Sequence, residues 1–302
     1  MTSKDKKYIE HADMSKYSPV KIGGIIDRLY LINSLQDLQE TMRSLREENL
    51  PFFVFGNASK MLFPDFFSKK AAIKVVAKNM EFEEDKVYVE AGVSLSYFAR
   101  LMVKKGYVGF EGLTMIPGAL GGSLVNNAGA FGSTISDMLI EVFVVDNEGN
   151  LRRYKKEELD FAYRTSRFKK ENLGIIYQLV FHLQKGDEQS LEERKNAYEK
   201  KRKASQPHGI LTFGSTFKNP SFGYAGEWIE KAGLKGFKRG HVSISQQHAN
   251  FLEISSEASA KEVRDLIAFI KDEVYNKYSV ILEPEVIIED GERHGGNRNE
   301  SS

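Results

Sequence analysis

The sequence predicts a mixed α+β protein built as two domains. Three observations lead there. Short apolar runs of strand type alternate with helical stripes along the 302-residue chain, three glycine clusters lie in its N-terminal two-thirds, and the composition shifts at Lys185-Gly186-Asp187. A chain of this length can bury a substantial core in each of two units.

The elements follow in order. Residues 1–17 and the tail 290–302 are polar and poor in apolar side chains, which predicts a flexible N-terminus and a disordered tail. Phe52-Phe53-Val54-Phe55 reads as a buried strand stopped by Gly56, and residues 87–91 as another stopped by Gly92. Leu95, Phe98, Ala99, Met102 and Val103 lie on one helical stripe, with Gly106 placed to end it. Residues 140–146 form a strand, Asp146-Asn147-Glu148-Gly149 turns into a second, and residues 175–183 are a third long apolar run. A Lys/Glu-rich helix then runs to Ser205, its interspersed charges forming a solvated face. Ser259 and Glu262 make a capping box for a helix with Val263, Leu266, Ile267, Ile270 and Val274 on one face, and residues 280–288 read as a closing strand. This places one domain at residues 18–186 and a smaller one at 187–289.

Composition removes several functions. Lys plus Arg total 43 against 42 Asp plus Glu, a net charge of +1, so no basic nucleic-acid surface is expected. The absence of cysteine excludes disulfides, cysteine-ligated metal clusters and a thiol nucleophile, and no metal site is expected. No apolar run approaches the roughly 20 residues of a membrane span, and the polar N-terminus is unlike a secretory signal. The expectation is a cytoplasmic monomer.

The glycines carry the chemistry. Three clusters stand out: Lys21-Ile22-Gly23-Gly24, Gly56-Asn57-Ala58-Ser59, and Pro117-Gly118-Ala119-Leu120-Gly121-Gly122, which continues to Asn126-Asn127-Ala128-Gly129. Glycine lets main-chain N–H groups approach an anion closely, although any one cluster alone reads as a turn. A doubly wound dinucleotide fold is not supported. The G-x-G-x-x-G spacing is missing, no clear strand leads into Pro117, and no Gly-Lys-Ser/Thr occurs for a phosphate-binding loop.

The segment IPGALGGSLVNNAGAFG, with KIGG upstream, resembles the flavin-binding region of the UDP-N-acetylenolpyruvoylglucosamine reductase family, whose flavin domain is of the vanillyl-alcohol-oxidase type with two subdomains. Further similar strings follow in order: YRTSRF from Tyr163, GSTFKNP from Gly214, AGLKG from Ala232, QHANF from Gln247 and LEPEV from Leu282. The resemblance spans about residues 17 to 288. It implies non-covalent FAD, NADPH as reductant, and reduction of a UDP-sugar enolpyruvyl ether to a lactyl ether. Hydride goes to the β-carbon and a proton to the α-carbon, in the synthesis of a peptidoglycan precursor.

The same resemblance assigns residues. Gly23, Gly56, Asn57, Ala58, Ser59, Pro117, Gly118, Gly121, Gly122, Asn127 and Gly129 would hold the cofactor. Arg164 would grip the carboxylate or enolate, Ser215 would donate the proton with Lys218 as a candidate cation beside it, and Glu285 would polarise the substrate. Glu283, two residues away, is separated from Glu285 by motif register alone. Lys218, Asn219, Gln247 and His248 would contact the substrate, and Tyr163 would pack beside the nicotinamide or fill core. Two departures concern the cofactor loop. Ala58 stands where the family carries glycine, so a β-carbon would hinder approach to the pyrophosphate. Lys60 stands where it carries asparagine and would offset part of that loss. The 51 positions from Arg164 to Ser215 leave no room for the tyrosine-bearing loop of the longer subgroup. Two alternatives stay open: another flavin oxidoreductase of the same fold, and a nucleotide-sugar binding protein without catalysis.

Overall fold

The computed structural model describes residues 7–289, so the expected disordered tail lies outside the described residues. The first sheet holds β1 (Ile9–Asp13), β2 (Ile25–Ile32), β3 (Phe52–Val54) and β5 (Ser68–Val75) in the order β1-β2-β5-β3, while β4 (Met61–Leu62) lies outside it. β2 and β3 both run parallel to β5, and β1 pairs antiparallel with β2. The expectation of a flexible start is therefore corrected for residues 9–17. An edge strand needs an apolar face on one side only: Ala12 and Met14 are buried while Ile9, Glu10 and His11 stay exposed. Asp13 then caps a short 3-10 turn, Met14–Tyr17, accepting from the Ser15 N–H at 3.0 Å.

Helix α1 (Leu35–Glu47) starts at Ser34, whose hydroxyl accepts from the Asp37 N–H, and buries Leu38, Met42 and Leu45. The second sheet is antiparallel throughout. Its order is β11-β10-β12-β7-β6, from β6 (Met80–Glu83), β7 (Lys86–Glu90), β10 (Leu139–Val145), β11 (Leu151–Lys155) and β12 (Ile175–His182). Helix α2 (Leu95–Lys104) buries the predicted stripe, and its Phe98 packs edge-on against Phe110. Between α2 and β10 lie α3 (Leu120–Val125) and the hairpin β8 (Gly129–Ala130) and β9 (Ser133–Thr134). The four-residue α4 (Arg167–Lys170) precedes β12.

Helix α5 (Glu188–Ser205) begins where the composition shifts, but it packs on the first body. Leu191 joins the core around α2 and β12, and Arg194 bonds the buried Glu111 at 2.8 Å. The second core therefore takes shape only after residue 205. It is formed by α6 (Ala225–Lys231), α7 (Ala260–Tyr278) and a sheet of β13 (Lys238–Arg239), β14 (Val242–Ile244) and β15 (Leu252–Ile254). The capping box at Ser259 and Glu262 is present. Val20, Ile22 and Leu62 of the first body also belong to this second core.

Residues 280–288 are not one strand. Only β16 (Ile287–Ile288) is regular, parallel to β4. Before it the chain is bonded to another partner: Lys218 N donates to Glu283 O at 2.9 Å and Glu285 N to Thr216 O at 2.8 Å. Pairing then passes to the first body through Ile287 N and Lys60 O at 2.7 Å. The change of partner breaks the ladder that apolar alternation suggests.

Candidate active site

Two of the glycine clusters converge. A β-carbon on Gly56 would touch the Ala119 β-carbon at 3.1 Å, and one on Gly118 would sit 3.0 Å from Ser123 Oγ and 3.5 Å from Ser59 Oγ. Gly118 also has φ +135°, a backbone state closed to side-chain-bearing residues. Ser59 reaches the Pro117 carbonyl at 3.5 Å. Gly121 is pressed against Ala91, whereas a β-carbon at Gly122 would meet open space. Gly23 is placed differently: it is packed on Met14 and Ser15, where two chain segments cross. Asn127 donates to Ala162 O at 3.1 Å but leaves its buried amide oxygen without a partner. The backbone cradle and that orphaned acceptor fit a flavin dinucleotide, which offers a pyrophosphate and ring N–H groups.

Ala58 adopts φ +52°, the left-handed region in which glycine is the usual residue. Its methyl is buried in a core with Phe55, Met61 and Phe63. The expected obstruction of the pyrophosphate is therefore corrected: the β-carbon points into packing. Lys60 is corrected as well. It turns away from the glycine loop, and Lys74 serves that loop instead, donating to Gly56 O and to Asn57 Oδ1 at 3.3 Å. Burial, with Lys78 nearby, lowers the Lys74 ammonium to about 8. A lone charge inside the apolar run Ala71-Ala72-Ile73-Lys74-Val75-Val76 was the available signal for it.

Arg164 sits at a tight turn in which Ala162 and Thr165 exchange main-chain hydrogen bonds at 3.2 Å. Its φ of +55° is strained for a side-chain-bearing residue, a feature that clusters at functional sites. The guanidinium donates from Nη2 to Gly129 O at 3.1 Å and places Nε 3.3 Å from Glu285 Oε1. Lys60 Nζ lies 3.5 Å from the same oxygen and donates to the Ser215 carbonyl at 2.5 Å. Arg164, Glu285, Lys60 and Ser215 thus form one unbroken line of contacts.

Glu285 is only 8% exposed, while the Glu283 side chain faces solvent and pairs with Lys218. The expectation that Lys218 supplies the cation beside Ser215 is corrected, because the ammonium in contact with Ser215 is that of Lys60. Burial, reinforced by Arg164 and Arg202 and opposed by Glu285, brings Lys60 down to about 8. Burial and Lys218 lower Lys169, and burial and Arg164 lower Arg202. Sequence reasoning missed Arg202 and Lys169, which are unmarked among many basic residues.

Ser215 also lines a cleft of about 430 Å³ with Asn219, Tyr224, Gln247 and His248. Gln247 is held by Ala204 O at 3.2 Å, and Asn219 Oδ1 accepts from the Ala225 N–H, capping α6. His248 Nδ1 accepts from the Asn250 N–H at 3.2 Å, and burial lowers the imidazole below its usual range. Tyr163 is 57% exposed and does not fill core. Its ring lies under the Arg164 guanidinium at 5.2 Å, and its hydroxyl accepts from Asn219 N at 3.4 Å. Asn250, also missed, grips Phe217 with both ends of its amide at 2.9 Å and so fixes the segment that carries Ser215.

Comparison with known proteins agrees with this geometry. The model of an FAD binding domain matches residues 26–155, and that of the UDP-N-acetylenolpyruvoylglucosamine reductase C-terminal domain matches residues 206–289. The reductase of that name from Syntrophomonas wolfei is 37% identical over 275 residues, covering 90% of this chain and 92% of that protein. The chain belongs to the UDP-N-acetylenolpyruvoylglucosamine reductase family. The Aquifex aeolicus reductase is also 37% identical, over 92% of this chain and 94% of its own. The crystal structure of UDP-N-acetylenolpyruvylglucosamine reductase from Thermus caldophilus superposes with a TM-score of 0.78 at 28% identity, covering 92% of this chain and 97% of that one. The fold is accordingly the flavin-binding α+β architecture expected, and the chain is an FAD-dependent oxidoreductase. Among the described residues no helix is long and apolar enough to cross a membrane.

Proposed function

We propose that the chain reduces UDP-N-acetylglucosamine enolpyruvate to UDP-N-acetylmuramate with NADPH, as a cytoplasmic monomer whose partner is this UDP-sugar. The observation that carries the reading is the Glu285 carboxylate held between Arg164 and Lys60 beside Ser215. Gly56, Gly118 and Ser59 would cradle the cofactor pyrophosphate, and Asn127 would accept from a ring N–H. Bound FAD supplies the hydride that the enolpyruvyl β-carbon takes up.

The protein's share is electrostatic and protonic. As the β-carbon gains hydride, the double bond's electrons move towards the α-carbon and its carboxylate. Arg164, docked on Gly129 O, offers a fixed fork of donors to that growing charge. Glu285 keeps the guanidinium in register. Ser215 gives its hydroxyl proton to the α-carbon and recovers one from solvent, completing the single bond. Gln247, His248 and Asn219 line the cleft that receives the rest of the substrate.

The test is direct. Purified chain should show a flavin spectrum, release FAD on denaturation, and consume NADPH when the enolpyruvyl substrate is added. No turnover despite bound FAD refutes the reading. Ser215→Ala should leave NADPH-driven flavin reduction intact while slowing reoxidation by substrate roughly 100-fold or more. Equal loss in both half-reactions, without unfolding, removes the proton-donor role.

A further inference from the structure

We propose that Lys60 is a positioning residue for the substrate half of the reaction, holding the Ser215 main chain and the Glu285 carboxylate in one frame and adding a positive charge to the Arg164–Glu285 pair. The inference rests on the reduction reading above.

Lys60 is bonded to the catalytic segments at three places. Its carbonyl accepts from Ile287 N at 2.7 Å, its ammonium donates to Ser215 O, and the same ammonium sits 3.5 Å from Glu285 Oε1. One residue at the end of the cofactor loop therefore fixes both the segment bearing the proton donor and the segment bearing the carboxylate. The two ammonium contacts belong to the lysine side chain, whereas the carbonyl link is made by the main chain and does not depend on it.

Charge makes the second half of the case. Arg164 and Glu285 alone would neutralise each other at the point where the substrate becomes more anionic. Lys60 leaves the trio with one net positive charge in a part-buried setting, where such a charge acts strongly. The charged groups facing it are Glu285, Arg164 and Arg202, with Lys169, Lys218 and Glu283 around that set. Burial together with the two arginines lowers the ammonium to about 8, so its charge is lost within an accessible alkaline range.

The experiment uses full-length, FAD-loaded protein carrying Lys60→Met, Lys60→Arg or Lys60→Asn, with Lys169→Met as a control. FAD content, NADPH-driven reduction and reoxidation by UDP-N-acetylglucosamine enolpyruvate are measured separately as functions of pH. Lys60→Met should keep its FAD and reduce within roughly twofold of wild type, yet reoxidise roughly ten- to a hundredfold more slowly. It should also lose the alkaline fall in reoxidation near pH 8. Lys60→Arg should recover most of the rate without that fall, because a guanidinium does not titrate there. Lys60→Asn supplies a second neutral variant should methionine disturb folding, and Lys169→Met should keep the fall. Wild-type reoxidation and alkaline fall in Lys60→Met overturn the proposal, as does joint loss of FAD and of both half-reactions. An active wild type beside an indifferent Lys60→Met defeats this proposal alone. A flavin-loaded wild type that never reoxidises with this substrate defeats the reduction reading with it.

Discussion

Replacing Asn250 by alanine tests how the proton-donor segment is held. Asn250 is 4% exposed; its Oδ1 accepts the Phe217 N–H and its Nδ2 donates to the Phe217 carbonyl, both at 2.9 Å. Alanine leaves a buried donor and a buried acceptor unpaired, each costing about 1–3 kcal/mol. Asn250 also lines the cleft, so water can reach part of the gap, and the expected loss is about 2–4 kcal/mol. The chain's single tryptophan, Trp228, lies on α6 against the second core, so its fluorescence in urea reports on that unit. With an m-value of roughly 2 kcal/mol/M, the midpoint should fall by about 1–2 M. Reoxidation of the flavin by substrate should suffer more than its reduction, since Ser215 is two residues from Phe217. A midpoint shift below about 0.5 M at unchanged slope would refute the amide clamp as the support of this segment.

Two further outcomes follow from local geometry. Ala58→Gly relieves about 1–2 kcal/mol of left-handed strain but loses about 0.8 kcal/mol of methyl burial and roughly 0.5–1 kcal/mol through chain flexibility. Stability should therefore change by less than about 1 kcal/mol, and FAD titration should give an affinity within roughly threefold of wild type; much tighter binding would show that the methyl does obstruct the cofactor. Glu262 is lowered to about 2 by the Ser259 N–H, with His241 adding to it. Its folded value lies below the unfolded 4.5, so its contribution is complete above about 4.5 and disappears as pH falls towards 2. Glu262→Gln should flatten the acid dependence of the Trp228 transition in that window, and an unchanged dependence sinks the assignment.

Local signals were the legible ones. The α2 stripe and the Ser259–Glu262 capping box depend on neighbours three or four residues away, and both form as read. The closing strand breaks because its partner changes between Glu285 and Ile287, from Thr216, 69 residues away, to Lys60, 227 residues away. The N-terminal strand is hard to read because an edge strand with one buried residue, Ala12, looks polar. At the site, the family resemblance assigned Arg164, Ser215 and Glu285 to one reaction but gave neither the geometry joining them nor where Lys60 and Lys218 point. Those directions depend on contacts across 155 and 65 positions. Glu283 and Glu285 are separated in the sequence by motif register alone, and in the structure by burial and by partner, Arg164 and Lys60 for Glu285 and Lys218 for Glu283.

The pairing of β16 with β4 reaches beyond topology. The last described strand, beginning two residues after Glu285, is tied to β4 just past the cofactor loop, while α5 anchors the other end of the C-terminal unit on the first body. A cap stitched down at entry and exit is restrained by the first body at both ends. The same stitch makes β16 part of the frame that holds the Glu285 segment. Deleting Ile287 and Ile288 would leave every catalytic side chain in the sequence yet remove the attachment that follows Glu285, leaving its main chain held by Thr216 alone.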